Sequence, residues 1–224
     1  MPDTAYEFNR MTAARLAGAF YLTIIVLGVW SEMFVRASLI TPGDAAATAA
    51  AILDHEGLFR LSFVADTLMV MSDTALAVLL FLLFRPVSAP VALTAMVFRL
   101  LQASTLGFNL LNQQAALLTV RGGGDNAAER ALRSLDLQAY GYDLGLIFFG
   151  VNCLLTGWLL IRSGWLPRIF GYGIVAAGAV YLIGSYLRFI APAFSESFAV
   201  AYAVPLVAEL GFCLWLLFRG LPER

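Results

Sequence analysis

The sequence predicts an all-α, polytopic bundle of six transmembrane helices in a single domain covering residues 1–224, with short interfacial helices in two outer connections. Three observations carry this. Hydrophobic residues make up 61% of the 224 and charged residues only 13%, whereas a soluble domain carries about 25% charged residues. The apolar residues fall into six runs near the length of about 20 that a bilayer crossing needs. The breaks between runs hold most of the Pro and Arg residues.

The first run, 13–35, follows Arg10 and Arg15 and looks like the start of a signal peptide. Its apolar part is longer than the usual signal core of about 7–15 residues, so it is expected to be a retained first helix. The first connection holds "TPGD" at 41–44. Thr41 is read as the cap, Pro42 as the first helical residue and Asp44 as the capping-box acid, with an Ala-rich interfacial helix running to about His55. The second and third runs, 58–84 and 90–119, are joined by "RPVSAP". The connection after the third begins "RGGGDN", where Asp125 or Asn126 caps a second interfacial helix, "NAAERALRSL". The remaining runs are 138–161, 168–190 and 198–218, the first two joined by "RSGWLPR". Backbone polar groups have no partner in lipid, so all six runs are helices. No internal repeat is visible, which leaves the inverted-repeat plan of many transporters unsupported.

Six crossings put both termini on one side. With the termini inside, seven arginines lie inside (10, 15, 85, 162, 168, 219 and 224) and six outside (36, 60, 121, 130, 133 and 188). The inner loops are the short ones, where the positive-inside rule operates. The expected location is a bacterial inner membrane with cytoplasmic termini.

All 14 basic residues are arginine; without lysine there is no Schiff-base chemistry. The net charge of −1 offers no basic face to a nucleic acid. Cys153 and Cys213 sit in apolar runs and read as small core residues. His55 lies between Asp54 and Glu56 on a solvated face. No cofactor is implied, and no histidine lies in a span to seed a metal site.

The third run departs from apolarity. Arg99, Gln102, Leu106, Asn109 and Gln113 are spaced 3, 4, 3 and 4 apart, hence on one helical face, with Asn112 beside them. A central arginine facing lipid costs from about 3 to above 10 kcal/mol, so this face is expected to point inward and Arg99 to meet an acid. Span two supplies Asp66 and Asp73, span four Tyr140 and Asp143, and span six Tyr202 and Glu209. At about 1.5 Å per residue, Asp73 lies about 22 Å from the outer edge and Arg99 about 13 Å from the inner one. In a core about 30 Å thick they share a depth and form the expected ion pair. Glu32 and Arg188 fall above, as an outer vestibule. Four acids then face one central base, so some hold protons, the cavity is wet, or a cationic ligand completes it. The amides Asn109, Asn112 and Gln113 alone would serve as helix-to-helix glue, as would Gly141, Gly145, Gly171 and Gly178 through close packing.

"FRLLQA", "NLLN", "YGYDLGLIFFGVNCLLTGWLL" and "RSGWLPRIFG" resemble a family of bacterial six-helix membrane proteins known as a domain of unknown function. The resemblance covers nearly the whole chain. It implies a compact six-helix inner-membrane protein and no activity. The matching positions are Arg99, Gln102, Asn109, Asn112, Tyr142, Asp143 and Gly150.

The function expected first is binding or transport of a small polar or cationic ligand by Asp66, Asp73, Arg99, Gln102, Asn109, Asn112, Tyr140, Asp143 and Glu209. Second comes an intramembrane enzyme using a protonated Asp or Glu as general acid on a lipidic or isoprenoid substrate. Third comes a structural or regulatory subunit. Expected partners are membrane lipid, a small polar or lipidic ligand and a second copy of the chain.

Overall fold

A computed structural model describes residues 9–222; Arg224, counted above among the inner arginines, lies outside them. The described chain is helical, and six helices are long and apolar enough to cross a membrane. The protein is a multi-pass membrane protein. We number its helices α1 (Arg10–Leu39), α2 (Ala45–Asp54), α3 (Glu56–Phe84), α4 (Ala89–Gly122), α5 (Ala127–Ser163), α6 (Arg168–Ile190), α7 (Pro192–Phe198) and α8 (Ala199–Arg219). The spans are α1, α3, α4, α5, α6 and α8.

Local chemistry sets the boundaries. The Asn9 side chain accepts from Thr12 N at 2.8 Å and starts α1. Gly123, Gly164 and Gly220, each at φ between 64° and 66°, end α4, α5 and α8 in the left-handed region that only glycine enters at little cost. Two expectations are corrected at this level. The cap of α2 is Asp44, whose Oδ1 accepts from Ala47 N at 2.9 Å. Thr41 pairs with Thr48 instead, because Gly43 at φ 78° turns the chain between them. The interfacial helix after "RGGGDN" is also not separate. Nothing between Ala127 and Gly141 breaks a helix, so it continues into the span as one rod of 37 residues. Asn126, in the left-handed region, precedes that rod without a capping side-chain bond.

The six spans form a ring in which each packs on its neighbours in the chain and α8 returns to α6 and α1. Close glycine contacts set its tightest seam. A Cβ on Gly157 would lie 2.8 Å from the Gly171 carbonyl, and one on Gly178 would lie 2.8 Å from that of Gly150. The α5 and α6 backbones therefore touch at two levels, one turn pair apart. Gly141 packs on Asn109, and Gly145 on Leu106, by the same device.

One end of the ring carries both termini; the other is the cap end. At about 1.5 Å per residue the 37-residue α5 is about 55 Å long, well beyond the hydrocarbon core. Its excess, with that of α4, stands at the cap end, where α2 packs on it. Ile52, Phe59, Leu117, Ala131 and Leu135 make a second hydrophobic core there, apart from the main one around Tyr21, Leu76, Phe149, Phe212 and Leu216.

Between α1 and α8 the ring closes only toward the termini. Gly18 accepts from Cys213 Sγ at 3.4 Å and lies against Leu217. Tyr21 packs edge-on to Phe212. Nearer the cap, α1 loosens into a wide turn, Trp30–Arg36, and α8 begins as a tight turn, Ala199–Tyr202. Between these two irregular segments the helices part.

Candidate functional site

That parting opens a chamber of about 420 Å³ in the cap half of the bundle, within the range of small-molecule sites. Its walls are mostly apolar: Ile24, Ile25 and Val29 from α1, Met69 from α3, Leu146 and Phe149 from α5. Its rim holds Met33, 67% exposed, facing Leu206, 49% exposed. The mouth therefore lies at the α1–α8 seam, beside lipid, with Glu32 at its cap-side edge.

The floor is polar. Arg99, buried at mid-span on α4, contacts Asp73 Oδ1 through Nε at 2.7 Å and Nη2 at 2.6 Å. The expected Asp73–Arg99 pair is thus present. The guanidinium also lies 5.0 Å from the Phe149 ring centre and 5.2 Å from that of Tyr21, and its Nη1 reaches Asn152 Oδ1 at 3.5 Å. Asn152 in turn donates to the Ala95 carbonyl at 2.8 Å, which ties the ion pair to α5. Glu209 on α8 accepts from Tyr21 at 2.8 Å and from Tyr181 at 2.5 Å, one on each oxygen. Gln102, one turn above Arg99, completes the floor. Asp73, Arg99, Gln102 and Glu209 are all over nine-tenths buried.

Tyr142 and Tyr202 also line the chamber; the other sequence-predicted residues do not reach it. Asp66 is held by Arg36, Nη1 to Oδ2 at 2.5 Å, and Arg36 Nε also holds Glu32 at 2.7 Å. Asp143 meets Arg188 at 3.1 Å and Ser185 at 3.2 Å. Tyr140 is 38% exposed, packs on Phe189 and lies beneath Arg188, so it faces the periphery. Asn109 donates to the Gln138 carbonyl at 2.7 Å and accepts from Asn112 at 2.9 Å. Gln113 donates to Ser62 Oγ at 2.8 Å. These amides join helices, as polar groups in spans commonly do.

This corrects the expectation that four acids face one base. Three acids have their own arginine, and only Glu209 is held by neutral donors. The error arose at Arg36. Ending the first span at residue 35 put it in a loop, whereas the wide turn carries the helix on and buries Arg36 to 4% exposure. Its place one turn after Glu32 was the signal available. Arg188 likewise is a partner of Asp143 rather than a vestibule group, because the end of α6 packs on α5.

Tyr21, Asn152, Phe149 and Met69 entered the site unannounced. Each sits in an apolar run, and an aromatic or a lone amide there has no pattern distinguishing it from core. Cys153 and Cys213 are buried and free, as core residues.

Comparison with known proteins adds one relative. An uncharacterised protein of the archaeon Archaeoglobus fulgidus is 30% identical over 162 residues, covering 71% of this chain and 83% of that one. No solved structure matches. Residues 16–220 match the model of a domain of unknown function, DUF4386, and the chain belongs to that family.

Proposed function

We propose that the protein binds a small amphipathic molecule within the membrane, head group on the polar floor and apolar body along the walls. The observation that supports this most is the composition of the chamber: Asp73, Arg99, Gln102 and Glu209 under walls of Ile, Val, Leu, Met and Phe, with a mouth beside lipid. A purely polar solute would leave the walls unsolvated. A purely apolar one would leave the buried acceptors Asp73 Oδ2 and Gln102 Oε1 without a donor, which is costly. Binding is favoured over passage through the bundle because Leu76, Leu80, Phe212 and Leu216 pack in the core beneath the floor.

Native mass spectrometry tests the reading. Protein extracted from native membranes in mild detergent is expected to carry a small bound molecule. A Gly28→Leu or Leu206→Trp variant, each filling the chamber from one side, is expected to lose it while eluting as the wild type does. A wild type that carries nothing, or variants that keep the same molecule, would overturn the proposal.

The reading extends to orientation. Arg36 belongs to a pair inside the bundle, which leaves Arg60, Arg121, Arg130, Arg133 and the part-exposed Arg188 at the cap end. Arg10, Arg15, Arg85, Arg162, Arg168 and Arg219 stand at the other. Six against five supports cytoplasmic termini under the positive-inside rule, with the mouth in the opposite half of the bilayer.

A further inference from the structure

The floor is incompletely paired, and the missing pairing has a direction. Asp73 gives one oxygen to Arg99, whose Nη2 lies 2.6 Å from it as an ion-pair contact without hydrogen-bond geometry, while two acceptors, Asp73 Oδ2 and Gln102 Oε1, are buried with no hydrogen-bond partner. Both residues line the chamber, at 3% and 7% exposure. A buried acceptor left unpaired costs about 1–3 kcal/mol, so two in one chamber mark a place for donors. The charges agree. The lining carries Asp73 and Glu209 on the floor against Arg99 alone, while Glu32 at the rim has Arg36. Arg99 is already engaged by Asp73, so the floor offers an acid in excess and no free cation. The rings of Phe149, Tyr181 and Tyr202 line the same space, and aromatic faces favour a cation.

Resting on the amphiphile reading above, we infer that the head group is a protonated primary amine on an apolar body, its N–H groups donating to Asp73 Oδ2 and Gln102 Oε1 and its charge set against Glu209. The alternatives fail on one count each. A carboxylate or phosphate meets two acids and an occupied arginine. A quaternary ammonium has the charge but no N–H to give. An alcohol has one donor and no charge. Along α8 the chamber runs from Ala203 to Glu209, about 9 Å at helical rise, which suits a body of modest length.

The experiment uses the full chain in lipid nanodiscs and four probes with the same body: octylamine, octyltrimethylammonium, octanol and octanoate. Binding is read by calorimetric titration, with empty nanodiscs subtracted. Octylamine is expected to bind at least about tenfold more tightly than the ammonium or the alcohol, and octanoate not to bind. Glu209→Gln is expected to weaken octylamine about tenfold and leave octanol unchanged. If that variant does not fold, Gln102→Leu replaces it and is expected to weaken the amine more than the quaternary ammonium. Octanol or octyltrimethylammonium equal to octylamine would overturn the amine while the amphiphile reading stands. No binding by any of the four would overturn both.

Discussion

At the scale of single residues, the pairing of Asp73 with Arg99 is the most consequential contact in the molecule. Removing one partner of a buried pair leaves an uncompensated charge and costs about 3–5 kcal/mol, whereas removing both is far less harmful. Asp73→Asn and Arg99→Gln are each expected to lower the melting temperature strongly in detergent, and the double variant to recover part of the loss. Singles as stable as the wild type would mean that the pair contributes nothing. Tyr140→Phe is the contrast. That ring is 38% exposed at the periphery, and its loss of a hydroxyl is expected to stay within about 0.5 kcal/mol. The Asp73–Arg99 pair was legible in the sequence because depth follows from counting residues along two antiparallel helices. The Arg36–Asp66 pair was not, because the first span was ended at residue 35, four residues short of the helix end at Leu39. A helix that widens its turn shows no periodicity to warn of it. Glu209 was legible as buried, but its two tyrosine partners lie 188 and 28 positions away, and nothing local in the sequence links them.

At the scale of elements, the α5–α6 seam and the cap helix have opposite sensitivities. Gly157 and Gly171 approach until a Cβ on either would press within 3.0 Å of the other's carbonyl. Backbone cannot give way as a side-chain tip does, so Gly157→Ala is expected to cost about 1–3 kcal/mol, read as a lower melting temperature. Gly57, in the first turn of α3, is exposed with nothing near its missing Cβ. There Gly57→Ala is expected to stabilise by about 0.4–1 kcal/mol, by narrowing the unfolded ensemble. Finding both substitutions neutral would refute the close-packing account. Gly141, Gly145, Gly171 and Gly178 were legible as close-packing positions, whereas their counterparts across the α5–α6 seam, Gly150 and Gly157, were not read so. The reach of α4 and α5 was not. Hydropathy marks where a helix enters lipid, and it is silent on where a helix that continues into water stops. What joins the projecting ends to α2 is Ile52, fully buried against them. Ile52→Ala is expected to cost about 2–5 kcal/mol and to raise protease sensitivity near residues 40–55 first.

At the scale of the whole molecule, the ring, its cap and its charge distribution define a single polarity. Packing is continuous below the floor and interrupted above it, so the chamber addresses only the cap half of the membrane. The side this half faces is set during insertion by arginines outside the hydrocarbon, and the structure changes how they are counted. One that the sequence assigned to an outer connection, Arg36, is buried and committed to Asp66, while Arg188 meets Asp143 with its side chain part-exposed. The terminal end keeps Arg85, Arg162 and Arg168 in its tight connections, and Trp158 and Trp165 beside them, with Arg162 and Arg10 over their rings. Aromatic side chains favour the membrane–water interface on both sides, so the tryptophans fix the depth of this end and the arginines its side. Cysteine labelling in intact cells reads the outcome directly, since Cys153 and Cys213 are buried at 2% and 0% exposure and give little background. Asp125→Cys, in the exposed turn between α4 and α5, is expected to react with a membrane-impermeant maleimide. Ala89→Cys, exposed at the start of α4 at the other end, is expected to react only after permeabilisation. The reverse pattern would place the chamber mouth in the cytoplasmic leaflet, and the proposed amphiphile would then be drawn from inside the cell.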